Sequence, residues 1–157
     1  MPGMNEGLEL RRAVAADAGV VRALIREAYA KWVPVLGREP QPMTADYDDA
    51  VRRHRIDLLY ARGELAGLIE LVLKDDQLLI ENIAVKTACQ GKGLGRHLLI
   101  HAENVAASAG VRVIRLYTNK LMTGNIRLYG RLGYRIDGEI SFLGGFRINM
   151  SKPAKIP

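Results

Sequence analysis

The stretch Ile80–Arg96, IENIAVKTACQGKGLGR, passes from an apolar run through glycines at 91, 93 and 95 into an amphipathic segment. It reads as a buried strand entering a glycine loop, Gln90 to Gly95. That loop opens a helix with Leu94, Leu98, Ala102, Val105 and Ala106 on one face. The unpaired N–H groups of a helix's first turn, with the positive end of its dipole, attract an anion. Glycine removes the Cβ that would keep a pyrophosphate from the backbone, and it admits positive φ. Lys92 and Arg96 add charge beside the same place. Two other phosphate loops do not fit. A Walker A loop needs G-x-x-x-x-G-K-[ST], and a dinucleotide fingerprint needs G-x-G-x-x-G in an early βαβ unit. The plainer alternative is that the glycines only make a tight turn.

The rest of the chain supplies a frame for this feature. Leu8–Ala13 reads as a first strand, and Asp17 opens a helix with Val21, Leu24, Ile25 and Ala28 at i, i+3, i+4 and i+7. Lys31–Met43 contains Trp32, Pro34, Pro40 and Pro42 and reads as a loop. Thr44 is expected to cap a second helix, Ala45 to about His54. Ile56–Ala61, Leu65–Leu73 and Leu78–Val85, joined by short turns, predict an antiparallel meander. Gly110 ends the helix that follows the glycine loop, and Val111–Tyr117 is strand-like. Thr123 stands to cap a short helix carrying Ile126, Leu128, Tyr129 and Leu132, which Gly133 stops. Tyr134–Phe142 and Phe146–Met150 predict a final hairpin around Gly144-Gly145. The expectation is a single mixed α/β (α+β) domain over residues 1–157.

Composition narrows the function classes. A chain of 157 residues, 48% hydrophobic and 25% charged, has the make-up of a globular domain with a real core. No apolar run approaches the roughly 20 residues needed to span a bilayer. The opening MPGMNEGLEL lacks the pattern of a signal peptide, so a cytoplasmic location and no membrane partner are expected. The lone Cys89 excludes an intramolecular disulfide, and no base for it is evident, so it reads as a structural thiol. The net charge of +6 is spread from Arg11 and Arg12 through Arg52, Arg53 and Arg55 to Lys152 and Lys155. With 6% aromatic residues and no interleaving of aromatics with basic runs, no nucleic-acid partner is expected. His54, His97 and His101 form no metal-ligand cluster with Cys89, so no metal is expected. His97 and His101, at i and i+4, read as an exposed helix flank.

Two segments carry a resemblance. Gln90-Gly91-Lys92-Gly93-Leu94-Gly95 resembles the acyl-CoA loop of the GNAT superfamily of N-acetyltransferases, [QR]-x-x-G-x-[GA]. Asn125-Ile126-Arg127-Leu128-Tyr129-Gly130-Arg131-Leu132-Gly133-Tyr134 resembles that family's later helix, which usually ends L-Y-x-[KR]-L-G-[FY]. The two occur in the family's order, and the elements from Leu8 to Met150 follow it. The resemblance implies a GNAT-like, mostly antiparallel central sheet flanked by helices, with strands splayed at an acyl-CoA cleft. It implies acetyl-CoA as co-substrate and a small-molecule or peptide amine as acceptor. The backbone of Ile83, Ala84 and Val85 would hydrogen-bond the pantetheine arm like an added strand. The N–H groups of Gly91, Lys92, Gly93, Leu94, Gly95 and Arg96 would hold the pyrophosphate. A homodimer is a fair default.

Acetyl transfer to an amine needs a base and a stabilised leaving thiolate. Glu81 shares strand parity with Ile83 and Val85 and is the first candidate base, the alternative being an exposed or ion-paired carboxylate. Glu70 and Asp46 are further candidates. By the resemblance Tyr129 lies near the departing sulfur, where a hydrogen bond to developing charge suits it better than proton transfer; the alternative is a core aromatic. Many relatives carry an asparagine seven positions before that tyrosine, contacting the CoA arm. Here that position is Met122, and Asn119 and Asn125 flank it as substitutes or as residues that shape the turn. Trp32, Tyr29 and Tyr47 lie where relatives line the acceptor pocket. A reading from another class is a non-catalytic acyl-CoA-binding or sensory module with the same fold.

Overall fold

A computed structural model describes residues 7–155 of the chain. Residues 1–6, on which the reading against a signal peptide partly rests, lie outside that range. The strands are β1 (Leu8–Arg12), β2 (Arg55–Ala61), β3 (Glu64–Lys74), β4 (Gln77–Val85), β5 (Val113–Asn119), β6 (Arg135–Phe142) and β7 (Gly145–Pro153). They form one sheet in the order β1-β2-β3-β4-β5-β7-β6. The pairings β1/β2, β2/β3, β5/β7 and β6/β7 are antiparallel, and β4/β5 is parallel. The helices are α1 (Ala18–Tyr29), α2 (Val33–Leu36), α3 (Tyr47–Arg53), α4 (Leu94–Ala109) and α5 (Thr123–Arg131). The mixed α/β class, the mostly antiparallel sheet and its flanking helices are those expected. The chain divides into two compact units: residues up to Leu71 with Asn82–His101, and Val72–Glu81 with the residues from Ala102 onward.

In the first unit the apolar stripe of α1, Val21, Leu24, Ile25 and Ala28, joins Tyr47, Ala50 and Val51 of α3 and Ile56, Leu58, Leu68 and Ala84 of the strands in one buried cluster. Removing each of the larger aliphatic side chains from water contributes roughly 1.5–3 kcal/mol. Ile56 to Leu59 of β2 are all buried, so this strand is covered on both faces and its one polar member, Asp57, is buried with it. A register shift sets Leu59 opposite Gly67 and Tyr60 opposite Leu65. At Gly67 a Cβ would stand 2.8 Å from the Ala84 carbonyl oxygen, so only glycine lets the two backbones approach this closely.

Three expectations for this unit change. The proline-rich segment is not a plain loop. It holds α2 with Pro34 in its first turn, where a missing N–H costs nothing, and a short turn of helix at Gln41–Met43. The cap of α3 is Asp46, whose side chain accepts from the Asp49 N–H at 3.1 Å, and not Thr44, which lies in the preceding turn. Helix α4 starts at Leu94, so Gly95 belongs to its first turn and the loop proper ends at Gly93.

In the second unit a parallel ladder joins Gln77–Ile80 of β4 to Val113–Leu116 of β5. On its other side β5 pairs with β7 from Val113↔Pro153 to Asn119↔Arg147. Alternation buries Ile114, Leu116, Ile148 and Met150 and turns Tyr117, Arg147 and Asn149 to a half-buried face. The final hairpin turns on Leu143 and Gly144, both at positive φ (48° and 79°), and Gly145 already pairs with Phe142. The predicted turn thus lies one residue earlier than Gly144-Gly145, as a two-residue hairpin loop requires. Helix α5 begins at Thr123 itself, with Met122 at the cap position and no side-chain cap bond.

Candidate functional site

The glycine loop lies wholly in the first unit. The Lys86 N–H bonds the Ala66 carbonyl at 2.8 Å, and a helical turn over Thr87–Cys89 redirects the chain. Gln90 then folds back, its Nε2 donating to the Val85 carbonyl at 3.1 Å, while its Oε1 accepts from Lys31 Nζ at 3.0 Å. The Thr87 N–H donates to Glu27 Oε1 at 3.1 Å, a tie to the last turn of α1. Gly91 and Gly93 adopt φ of 79° and 80°, where a side chain is strained. The His97 N–H donates to the Gly93 carbonyl, so the N–H groups ahead of it have no acceptor within the helix. Lys92 and Arg96 are exposed beside them. Backbone donors, a helix dipole and two cations converge on a place suited to a di-anion. Ile83, Ala84 and Val85 lead into it on the same strand, and Ala84 is buried.

The same unit holds two buried carboxylates. Glu70 on β3 is 2% exposed; His54 Nδ1 lies 2.6 Å from its Oε2, and Asn82 Nδ2 donates to its Oε1 at 2.7 Å. The Tyr29 hydroxyl reaches Asn82 Oδ1 at 3.4 Å. Asp57 receives Arg55 Nε at 2.9 Å and His101 Nε2 at 2.7 Å. Burial would raise the Asp57 carboxyl, but the bonds from His101 and Arg55 outweigh it and hold the group below its ordinary value. His101 therefore does not lie on an exposed flank: it turns inward because a buried carboxylate requires a partner. Burial, with His101 nearby, also lowers the His97 pKa. Sequence periodicity offered no signal for these pairs, whose members come from separate elements. Asp46 is exposed and occupied as the cap of α3.

The other predicted residues belong to the second unit. Helix α5 ends in a Schellman motif: the Tyr134 N–H bonds the Tyr129 carbonyl at 3.0 Å, the Gly133 N–H bonds the Gly130 carbonyl at 3.1 Å, and Gly133 has φ of 96°. Tyr129 is buried, and burial pushes its hydroxyl up to about 12. Proton transfer from such a phenol to a thiolate of ordinary pKa ~8.5 would be uphill by roughly 5 kcal/mol, whereas a hydrogen bond is not so penalised. Glu81 accepts from the Tyr117 hydroxyl at 2.6 Å through Oε1. The Arg147 guanidinium stacks on Tyr117 at 4.4 Å and on Phe142 at 5.0 Å. Met122 is buried, its sulfur near the Thr118 hydroxyl (3.6 Å) and Asn125 Nδ2 (3.7 Å). Asn119 Oδ1 accepts from the Leu121 N–H at 2.9 Å and so shapes the turn after β5. Among the described residues no three His, Cys, Asp or Glu side chains gather as a metal site, and no helix is long and apolar enough to cross a membrane.

Comparison with known proteins bears on the family and the fold. Residues 21–134 match the model of the Acetyltransferase (GNAT) family. An uncharacterised N-acetyltransferase, YvbK, of Bacillus subtilis (strain 168) is 33% identical over 57% of this chain and 58% of its own length. A probable N-acetyltransferase 14 of Xenopus tropicalis is 30% identical over 55% of this chain and 43% of its own length. The chain thus matches about half the length of these curated relatives. Among solved structures, the PaiA N-acetyltransferase of Thermoplasma acidophilum in complex with coenzyme A superposes with a TM-score of 0.79 at 19% identity, covering 93% of this chain and 98% of that one. The ribosomal-protein-S18-alanine N-acetyltransferase of Escherichia coli gives 0.77 at 21% identity, covering 96% of each.

Proposed function

The chain belongs to the acetyltransferase (GNAT) family, and from that membership we propose that it moves an acetyl group from acetyl-CoA to a primary amine by direct attack in a ternary complex. The observation that carries this reading is the loop ahead of α4, where two left-handed glycines deliver a helix N-terminus flanked by Lys92 and Arg96. Backbone N–H groups from Gly91 to Arg96 bind the pyrophosphate, and the strand backbone of Ile83–Val85 bonds the pantetheine arm. A structural neighbour solved with coenzyme A supports the fit.

Glu81 takes the ammonium proton, directly or through water. Neutralising a free alkylammonium of pKa ~10.4 at pH 7 otherwise costs roughly 4–5 kcal/mol. The Tyr117 hydroxyl engages one oxygen of Glu81, which leaves the second to accept. Tyr129 donates a hydrogen bond toward the sulfur as negative charge develops there. Asn119 and Asn125, beside Met122, contact the CoA arm. The acceptor is a small-molecule or peptide amine, and a single domain, a cytoplasmic setting, a homodimer and metal-free chemistry belong to the same reading.

The direct test is thiol release from acetyl-CoA across panels of amines and peptides. Gly93→Glu places bulk and negative charge where the phosphates sit, and is expected to weaken CoA binding by roughly 100-fold or more. Unchanged affinity in that variant would remove the assigned site.

A further inference from the structure

The half-buried face of the second unit carries an unusual cation. Of the basic residues on β5, β6 and β7, Arg115 and Arg135 both meet Asp137, and Lys152 meets Glu103 at 2.6 Å. The Arg147 side chain makes no hydrogen bond or ion pair among the described residues. Its guanidinium lies instead against the rings of Tyr117 (4.4 Å) and Phe142 (5.0 Å), and its Nε–H is buried without a partner. A buried donor left unsatisfied is costly and calls for a reason. The residue as a whole is only half-buried, so with Nε enclosed the terminal Nη groups are the part that reaches solvent.

This geometry defines what Arg147 can bind. With two aromatic rings against the guanidinium and Nε enclosed, the edge that carries the Nη groups is the part left for a ligand. A planar anion with two oxygens matches that edge in a bidentate pair, which is the geometry of a carboxylate. The register brings an acid to the same ring. Leu79 pairs with Arg115 and Asn119 with Arg147, so Glu81, Tyr117 and Arg147 share one face of the sheet. The Tyr117 hydroxyl donates to Glu81 at 2.6 Å while Arg147 covers the ring. A carboxylate and a guanidinium thus flank a single tyrosine. A polyanion would be repelled by Glu81, and a polyamine by Arg147. A molecule with an amine and a carboxylate a few atoms apart satisfies both charges.

We propose that Arg147 is the acceptor-carboxylate site and that the amine acceptor is an amino acid with its carboxylate free, the amine facing Glu81. This deepens the acetyl-transfer reading and rests on it, with Arg147 a specificity-determining residue. The experiment compares amino acids with the amines that lack only the carboxylate, such as phenylalanine against phenethylamine and lysine against cadaverine. Two quantities are read: kcat/KM for thiol release, and the dissociation constant of the acceptor by calorimetry. In the unsubstituted protein the acid-bearing member of a pair is expected to be favoured by about 10-fold or more in both. In Arg147→Gln that ratio is expected to fall to about 2-fold or less, and Arg147→Lys, which keeps the charge but loses the planar fork, to lie between. A purely structural role for Arg147 would weaken acid and amine alike and leave the ratio intact. An equal or reversed preference in the unsubstituted protein, or a ratio that survives Arg147→Gln, overturns the proposal. The first of these needs no variant to fold. If no acceptor is acetylated, the acetyl-transfer reading fails, while the calorimetric ratio still decides whether Arg147 selects a carboxylate.

Discussion

The backbone N–H of Tyr134 donates to the carbonyl of Tyr129 at 3.0 Å, and the two rings meet edge to face at 6.1 Å and 62°. One capping motif therefore sets the end of α5 and the seat of the tyrosine proposed to serve the leaving sulfur. Fixing a catalytic side chain on the last turn of a helix, with a ring packed against it, holds it more narrowly than a loop would. Tyr129→Phe removes one donor and keeps the ring contact. It is expected to lower kcat about 10-fold with CoA affinity within about 2-fold, read by steady-state kinetics beside a binding titration. An unchanged kcat would leave Tyr129 as a packing residue.

Alkaline titration probes the same pair. Burial is the main cause that raises the hydroxyls of both Tyr129 and Tyr134, the first to about 12. A folded-state pKa above the unfolded value of ~10 contributes stability that is present below pH 10 and lost as pH rises toward 12. Ultraviolet titration should show these two tyrosines ionising well above pH 10. Denaturant midpoints should fall over the same interval, and less so in Tyr129→Phe.

Gly67 gives a test of the strand that leads to the glycine loop. Gly67→Ala would set a methyl group 2.8 Å from the Ala84 carbonyl oxygen, a backbone atom that cannot swing aside. The expected cost is about 1–3 kcal/mol by urea denaturation, with weaker CoA binding because Ala84 lies in the segment proposed to bond the pantetheine arm. A neutral outcome in both measurements would mean that β3 and β4 separate here at little cost.

Acid stability should depend on Asp57. Its folded pKa lies below the ordinary ~3.9, so its contribution is complete above that value and disappears as pH falls through the lower folded one. Asp57→Asn is expected to destabilise by about 2–3 kcal/mol at pH 7. That deficit should shrink as both proteins are titrated below pH 4. A deficit independent of pH would point to packing instead of the bonds with His101 and Arg55.

What the sequence disclosed and what it withheld differ in range. The glycine loop, the Gly110 and Gly133 helix ends and every strand were legible because each depends on neighbouring residues: a period, a cap, a left-handed position. Errors at this level were small and had local causes. Pro34 reads as a breaker although a first turn accepts it, and Gly95 reads as loop although its helix has begun. The side-chain constellations were not legible. His101 meets Asp57 across 44 positions, Tyr29 reaches Asn82 across 53, and Tyr117 bonds Glu81 across 36. Arg147 is held by rings from two other strands. Such partnerships follow from register and burial, which a periodic pattern does not encode. Strand parity places Glu81 on the face of Ile83 and Val85, but it does not name Tyr117 as its partner.

The threading of the chain through its two units bears on biosynthesis. The chain leaves the first unit after Leu71, contributes ten residues elsewhere, and returns at Asn82 to complete it only at His101. At a ribosome moving ~5–20 residues per second, the nascent first unit waits on the order of a few seconds for its closing segment. During that interval Leu68, fully buried in the finished fold and in one apolar cluster with Ala84, has yet to gain that part of its cover. That brief window is when a holding chaperone would find a sticky strand to protect.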